Sequence, residues 1–211
     1  MEIWDRIEQA RTRWNVLEHS FYERWSEGTL TREELASYSG QYRHAVEALA
    51  RASADAAGAA EGLEAEQLAE HADEEAAHVA LWDGFVAGVG GSTDSPATPE
   101  TARCARTWAG EDRPLPETLV ALYAIESGQP AISETKRAGL IDHYGFSEGE
   151  ATRYFTLHAR RDVEHAAHAR ELIEARLAEA DADALVDEAE RVLRANWELL
   201  DGVERVNGRA A

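Results

Sequence analysis

The chain has 211 residues and an apolar content of 44%, which predicts one globular domain over residues 1–211 with a core of its own. The net charge is −20, from 41 acidic and 21 basic residues, and a surface of this sign repels nucleic acids and anionic membranes. The single cysteine, Cys104, excludes an internal disulfide and any cysteine-based zinc or iron–sulfur site.

The N-terminal segment is charged and amphipathic, unlike a signal peptide, and no apolar run approaches the roughly 18 residues that span a bilayer. We therefore expect a soluble, cytoplasmic protein. Apolar residues recur with the helical period nearly throughout, and period-2 strand signals are absent. The pattern predicts seven helices, over residues 2–26, 31–57, 62–88, 99–109, 115–142, 147–179 and 182–205.

Local signals mark the ends of several of these helices. Capping boxes that begin at Thr31 and Ser147 open the second and sixth helices. Gly, Ser, Thr, Asp and Pro residues predict a loop over residues 91–99. Pro130 cannot donate a backbone hydrogen bond, so the fifth helix should kink near Gly128. An all-α, single-domain helical bundle follows from this pattern.

One predicted helix carries a ridge of metal-ligand side chains. Positions i, i+4 and i+7 lie on the same side of a helix, so His158, Asp162 and His165 face one way. Two imidazoles and a carboxylate are suitable ligands for iron or manganese. The alternative is that these histidines satisfy hydrogen bonds within an ordinary core.

Two further segments offer ligands of the same kind. Glu75 and His78 have the Glu-x-x-His spacing of carboxylate-bridged di-metal bundles. Glu126 follows an apolar run over residues 119–125, where a buried carboxylate needs a cation or a metal as partner. Each of these residues alone is consistent with a solvated acid or a core histidine. Together, three helices offer six predicted ligands, enough for two metals with open positions for oxygen: Glu75, His78, Glu126, His158, Asp162 and His165.

Four other residues are weaker candidates. His71 lies two turns before His78 on a similar face, and the sequence leaves open whether it is a ligand, a group that supports a ligand, or an exposed residue. Glu47 is a candidate to support a ligand from mid-helix, and His168 lies at the edge of the ridge. His44 is the fourth of these candidates.

Three motifs resemble the haem-oxygenase-like PqqC/TenA superfamily. They are LYAIESGQPAISETKRAGLIDHYG at residues 122–145, YFTLHARRDVEH at residues 154–165, and HSFYERWSEGTLTREEL at residues 19–35. The resemblance covers most of residues 15–175 and is closest to the oxygen-using CADD-type para-aminobenzoate synthases. It implies a haem-oxygenase-like seven-helix bundle, a pair of Fe ions or Fe with Mn, oxygen, an external reductant and a homodimer.

The same resemblance implies roles for three residues outside the ligand set. In such synthases a tyrosine of the protein is proposed to supply the aromatic ring of para-aminobenzoate, and a lysine its amino group. These positions fall on Tyr22 and Lys136, and a further active-site tyrosine falls on Tyr154. Lys136 is the only lysine of the chain, and arginine cannot replace an amine that must lose a proton or act as a nucleophile.

Two features depart from the family pattern. The segment before His78 is shorter and lacks the Gly-containing insert of the family, so that either Glu74 or Glu75 takes the role of carboxylate ligand. Ile125 stands where a tyrosine often precedes the family's glutamate, the position of Glu126. The ligand on the 62–88 helix is therefore the one that the resemblance defines least.

Four functions are consistent with these observations. The first is a para-aminobenzoate synthase for folate biosynthesis that uses Tyr22 and Lys136. The second is a sister di-iron oxidase or oxygenase that acts on a free amino acid or fatty acid. The third is a metal-free thiaminase-like or PqqC-like protein, although thiaminase chemistry requires a nucleophilic cysteine in the pocket. The fourth is a non-catalytic helical binding protein that tolerates His158→Ala.

Overall fold

The computed structural model describes residues 2–209, a range that contains nine α-helices and no strand. None of the helices in this range combines the length and the apolar character that crossing a membrane requires. The predicted all-α class is confirmed, with nine helices because two of the seven predicted helices are each divided. They are α1 (Ile3–Arg13), α2 (Ser20–Glu27), α3 (Arg32–Ala59), α4 (Gly62–Val89), α5 (Pro99–Ala109), α6 (Leu115–Glu126), α7 (Gln129–Asp142), α8 (Glu150–Glu174) and α9 (Ala182–Val206).

The prediction of one continuous helix over residues 2–26 was wrong. The chain leaves α1 at Trp14 and makes a short 3₁₀ turn at Val16–Glu18 before α2 begins. Asn15 caps that turn through the Leu17 N–H, and Nδ1 of His19 accepts from the Phe21 N–H at 3.1 Å. Both residues offer their backbone neighbours an alternative to the helical hydrogen bond, which ends one helix and starts the next.

Of the other predicted helix boundaries, some are confirmed and some are wrong. The capping box at Thr31 is confirmed, with its Oγ1 3.2 Å from the Glu34 amide. The predicted interruption near Gly128 is confirmed as the break between α6 and α7. The capping box at Ser147 was wrong, because α8 begins after Gly149, whose N–H donates to Oγ1 of Thr152. That helix also ends at Glu174, earlier than the predicted residue 179.

The packing brings α4, α6 and α8 together around the middle of the molecule. Helices α3 and α4 pack along each other, α8 lies against α4, α6 and α7, and α9 covers α1, α5 and α6. Three fully buried tryptophans anchor this core, and each indole N–H donates to a backbone carbonyl, namely Trp25 to Lys136, Trp82 to Ser39 and Trp108 to Val192. Each indole removes roughly 200 Å² from water, worth about 5 kcal/mol, without leaving its polar atom unpaired.

Candidate metal centre

Seven ligand-type side chains from α4, α6 and α8 converge in the core. They comprise the six residues predicted from the sequence and one more, and every one is buried: His71, Glu75, His78, Glu126, His158, Asp162 and His165. Ionisable residues are seldom fully buried unless they are paired or bind a cation. A concentration of this kind is therefore typical of a functional site.

The ligand atoms fall into two groups that share one carboxylate. The first group is His71, Glu75, Glu126 and His165, and the second is Glu75, His78 and His158. Within each group one ligand atom per residue lies within 4.8 Å of all the others. Because Glu75 belongs to both groups, its carboxylate lies between them, as in a carboxylate-bridged pair of metals.

Contacts within the first group are close but poorly aligned for hydrogen bonding. Nε2 of His71 lies 2.7 Å from Oε1 of Glu126, and Nδ1 of His165 lies 3.7 Å from Oε1 of Glu75. In the second group, Nδ1 of His78 is 3.0 Å from the same Glu75 oxygen. The histidine rings of facing helices are also in contact, with 3.9 Å between the centroids of the tilted His71 and His165 rings.

Two carboxylates each contact one ring nitrogen of a histidine in the cluster. Asp162 contacts Nδ1 of His158 at 2.8 Å and lies outside both groups of ligand atoms, although it is fully buried beside them. Glu74 contacts Nε2 of His165 at 3.0 Å and is itself paired with Arg161. A carboxylate on one ring nitrogen fixes the tautomer and leaves the other nitrogen to face a metal. The geometry thus favours Glu75 over Glu74 as the inward-facing carboxylate.

Burial and neighbouring charges shift the pKa values of the acids and histidines in this cluster. It raises the pKa of Glu126 to about 7, and burial together with the nearby Glu75 raises the pKa of Asp162 to about 8. Burial lowers the pKa of His165 to about 4. Burial would lower the pKa of His71 too, but the adjacent Glu126 carboxylate raises it to about 9. A bound cation lowers the pKa of carboxylates and imidazoles that bind it, because it favours ionised carboxylates and neutral imidazoles.

The residues present fit a metal pair. Among residues 2–209, six ligand-type atoms of the cluster are buried without a hydrogen-bond partner: Nε2 of His71, Nε2 of His158, Nδ1 of His165, Oε2 of Glu75 and both carboxylate oxygens of Glu126. An unpaired buried polar atom costs about 1–3 kcal/mol, so the bare arrangement is unfavourable. Imidazole and carboxylate donors suit iron and manganese, and such ions would satisfy all six atoms.

Lys136 lies in an aromatic box formed by Tyr22, Tyr38, Tyr42, Trp82 and Phe155. Its Nζ is 4.3–5.7 Å from the five ring centroids, fully buried, and without a hydrogen-bond partner in the described chain. Burial lowers its pKa to about 7. The hydroxyls of Tyr22 and Tyr38 are 3.0 Å apart, and burial raises the pKa of both phenols.

Tyr154 connects this box to the ligand cluster. Its ring stacks on His158 with 4.0 Å between centroids and makes an edge-to-face contact with Trp82 of the box, with 4.9 Å between centroids. Burial lowers the pKa of His158, and the positive charge of Lys136 lowers it further. The structure therefore brings all three predicted catalytic residues to one side of the ligand cluster.

Of the four weaker candidates from the sequence, one lies in the ligand cluster and three lie outside both groups of ligand atoms. His71, whose role the sequence leaves open, belongs to the first group. His44 contacts the Ser95 carbonyl, Glu47 pairs with Arg43, and His168 is in neither group. The thiol of Cys104 is buried, which raises its pKa and disfavours the thiolate that a nucleophilic role requires.

The chain is similar in sequence and in fold to known proteins. A family model described as iron-containing redox enzyme, of the haem-oxygenase type, matches residues 44–197. The 4-aminobenzoate synthase of Chlamydia muridarum is 32% identical and covers 95% of this chain and 89% of that protein. The 4-aminobenzoate synthase of Nitrosomonas europaea is 31% identical over 94% of this chain and 88% of its own length. A TenA homologue from Pseudomonas syringae has the same fold, with a TM-score of 0.80 at 17% identity over 96% of this chain and 91% of its own.

Proposed function

Because the chain belongs to the haem-oxygenase-like family of iron-containing redox enzymes, and is thus an oxidoreductase, we propose that it is an oxygen-dependent di-metal oxidase that makes 4-aminobenzoate. Support comes from the relatives that are named 4-aminobenzoate synthases and match nearly the whole chain. The proposed metals are two Fe ions, or Fe with Mn. The proposed partners are oxygen and a small-molecule reductant, with no nucleic acid or membrane, and the proposed assembly is a homodimer in the cytoplasm.

The observation that carries the proposal is the burial of the only lysine of the chain inside a box of aromatic rings. Within residues 2–209 the Lys136 amine has no hydrogen-bond partner, and burial lowers its pKa to about 7, which provides uncharged amine near neutral pH. Arginine would stay charged and would not serve as an amine donor. We propose that Lys136 supplies the amino group and that Tyr22, whose ring is 5.7 Å from Nζ, supplies the aromatic ring.

The proposed ligands are Glu75, His78, Glu126, His158, Asp162 and His165. Iron bound by them would supply the reduction of oxygen, with electrons from the external reductant. The chain positions this chemistry, because Glu74, which is outside the proposed ligand set, holds His165 in orientation. Tyr154 is buried between the ligand cluster and the aromatic box, in ring contact with His158 of the first and with Trp82 of the second.

Tyr22 is prepared for this role by its surroundings. It is fully enclosed, and its raised pKa keeps the phenol protonated until a base or an oxidant removes the proton. The hydroxyl of Tyr38, 3.0 Å away, is the group in contact to receive or return that proton. Tyr123 offers a matched control, since it is a tyrosine outside the box that packs against Trp4.

Isotope labelling tests the proposal directly. Growth on lysine labelled with ¹⁵N at the ε position marks Lys136 alone, because the chain has no other lysine. The protein is loaded with Fe²⁺ without oxygen, exposed to oxygen with a reductant, and read by mass spectrometry of small molecules and of the intact chain. We expect ¹⁵N-labelled 4-aminobenzoate and a matching mass loss, both absent in Lys136→Arg and Tyr22→Phe and retained in Tyr123→Phe.

Other outcomes contradict the proposal in distinct ways. Unlabelled product would show that the amino group comes from outside the chain. Oxygen consumption without damage to the chain would favour the sister oxidase that acts on a free amino acid or fatty acid. Activity that survives in His158→Ala would contradict the ligand set.

A further inference from the structure

Two helices carry ligand-type side chains at the same spacing. Each has a histidine, an acid four residues later, and a second histidine three residues after the acid, over His71–His78 on α4 and His158–His165 on α8. The acids are Glu75 and Asp162. Because this spacing places all three side chains on one side of a helix, both helices present a ridge of two imidazoles and a carboxylate to the core.

The two ridges meet in opposite directions. The first histidine of α4, His71, packs against the last histidine of α8, His165, with 3.9 Å between the ring centroids. The last histidine of α4, His78, meets the first of α8, His158, at 4.5 Å. Each pair thus takes one imidazole from each helix, and the acid of α4 lies between the pairs.

His71 is placed like a ligand within this arrangement. Only 7% of His71 is exposed to solvent. Its Nε2 is 2.7 Å from Oε1 of Glu126 and 4.0 Å from Oε1 of Glu75. Neither His71 Nε2 nor Glu126 Oε1 has a hydrogen-bond partner within residues 2–209. A ring nitrogen and a carboxylate oxygen that are this close without the alignment of a hydrogen bond are oriented as two ligand atoms of one ion would be.

We propose that His71 is a direct metal ligand, which binds one ion together with Glu75, Glu126 and His165. The proposal rests on the proposed function only in requiring a metal pair. It gives each ion one histidine from α4 and one from α8. Glu126 belongs to the first group alone, so the second group offers three ligand residues where the first offers four. The second group is the one in contact with Tyr154, through His158.

The competing role for His71 is to donate a hydrogen bond that orients Glu126. Three variants separate the two roles. His71→Gln keeps an N–H donor but removes the imidazole, whereas His71→Glu replaces one ligand by another and removes the donor. His71→Ala removes both, and His168→Ala, a half-buried histidine of α8 outside both groups, is the control.

The measurement is Co²⁺ binding to the metal-free full chain, by equilibrium dialysis with metal analysis and by visible absorption of the bound Co²⁺. Wild type and His168→Ala should bind two ions per chain. His71→Ala and His71→Gln should both lose affinity for one of the two ions by at least roughly tenfold, with a changed spectrum. His71→Glu should regain most of that affinity with a spectrum unlike that of wild type. Far-UV circular dichroism checks that each variant is folded.

Wild-type affinity and spectrum in His71→Gln would overturn the proposal in favour of the hydrogen-bonding role. That result would leave the proposed function intact, because wild type still binds two ions. A wild type that binds no ion would overturn both, so the two failures are distinguishable.

Discussion

Replacing the buried lysine should make the metal-free protein more stable. Lys136→Met keeps an unbranched side chain of similar length, and its thioether is compatible with the surrounding rings. It removes the amine that has no hydrogen-bond partner among the described residues. The same substitution should abolish 4-aminobenzoate formation, so that stability and activity change in opposite directions.

The size of the effect follows from the pKa of Lys136. The fall from 10.5 to about 7 on folding corresponds to about 5 kcal/mol at roughly 1.4 kcal/mol per unit of pKa. The unfolded chain binds the proton more tightly, so the folding penalty is fully present below pH 7 and disappears as the pH rises towards 10.5. Lys136→Met should therefore gain several kcal/mol at pH 6 and less than about 1 kcal/mol near pH 10.5.

Urea denaturation of metal-free wild type and variant at pH 6 and at pH 10 measures this difference. The control is Arg137→Met, the next residue, whose partly exposed side chain pairs with Glu134 and should change stability by less than about 1 kcal/mol at either pH. A variant with no gain at pH 6, or with the same gain at both pH values, would refute the reasoning. Either result would mean that the rings stabilise Lys136 as a cation.

Three more predictions concern positions around the site. Glu74→Gln should weaken Co²⁺ binding roughly 10- to 100-fold through its contact with His165, and unchanged affinity in a chelator competition would contradict that role. Cys104 should resist thiol reagents in the native protein, and Cys104→Ala should keep both metals, so rapid labelling would contradict its burial. Gly139→Ala should lower stability by about 1–3 kcal/mol in thermal unfolding, because its Cβ would lie 2.6 Å from the Trp25 ring, and a rise in Tm would show that the ring can move.

Local spacing made part of the candidate site predictable. The ridge over residues 158–165 and the position of Glu126 follow from helical geometry and from one acid in an apolar run, and the structure brings these residues together. Their roles as ligands stay a prediction. The aromatic box was not predictable, because its rings come from α2, α3, α4 and α8, and only tertiary packing brings them to Lys136.

Two wrongly predicted helix boundaries and the open role of His71 have physical causes as well. The continuous first helix failed because Asn15 and His19 can act as caps, which hydrophobic spacing does not register. The start of α8 was misplaced because Glu150 is its first residue rather than the third that a capping box requires. His71 was undecided because its contact with Glu126 joins residues of two different helices, and nothing in either segment alone indicates it.

The closed aromatic box sets a condition on how a product leaves. Tyr22 and Lys136 are both almost inaccessible to solvent, so a benzoate-sized molecule formed from them would begin enclosed by α2, α3, α4, α7 and α8. Its departure requires a local opening of the fold, with a rate governed by the free energy of that opening. Amide hydrogen exchange in α2 and α7 should then report the same event as product release, and denaturant too dilute to unfold the protein should accelerate both.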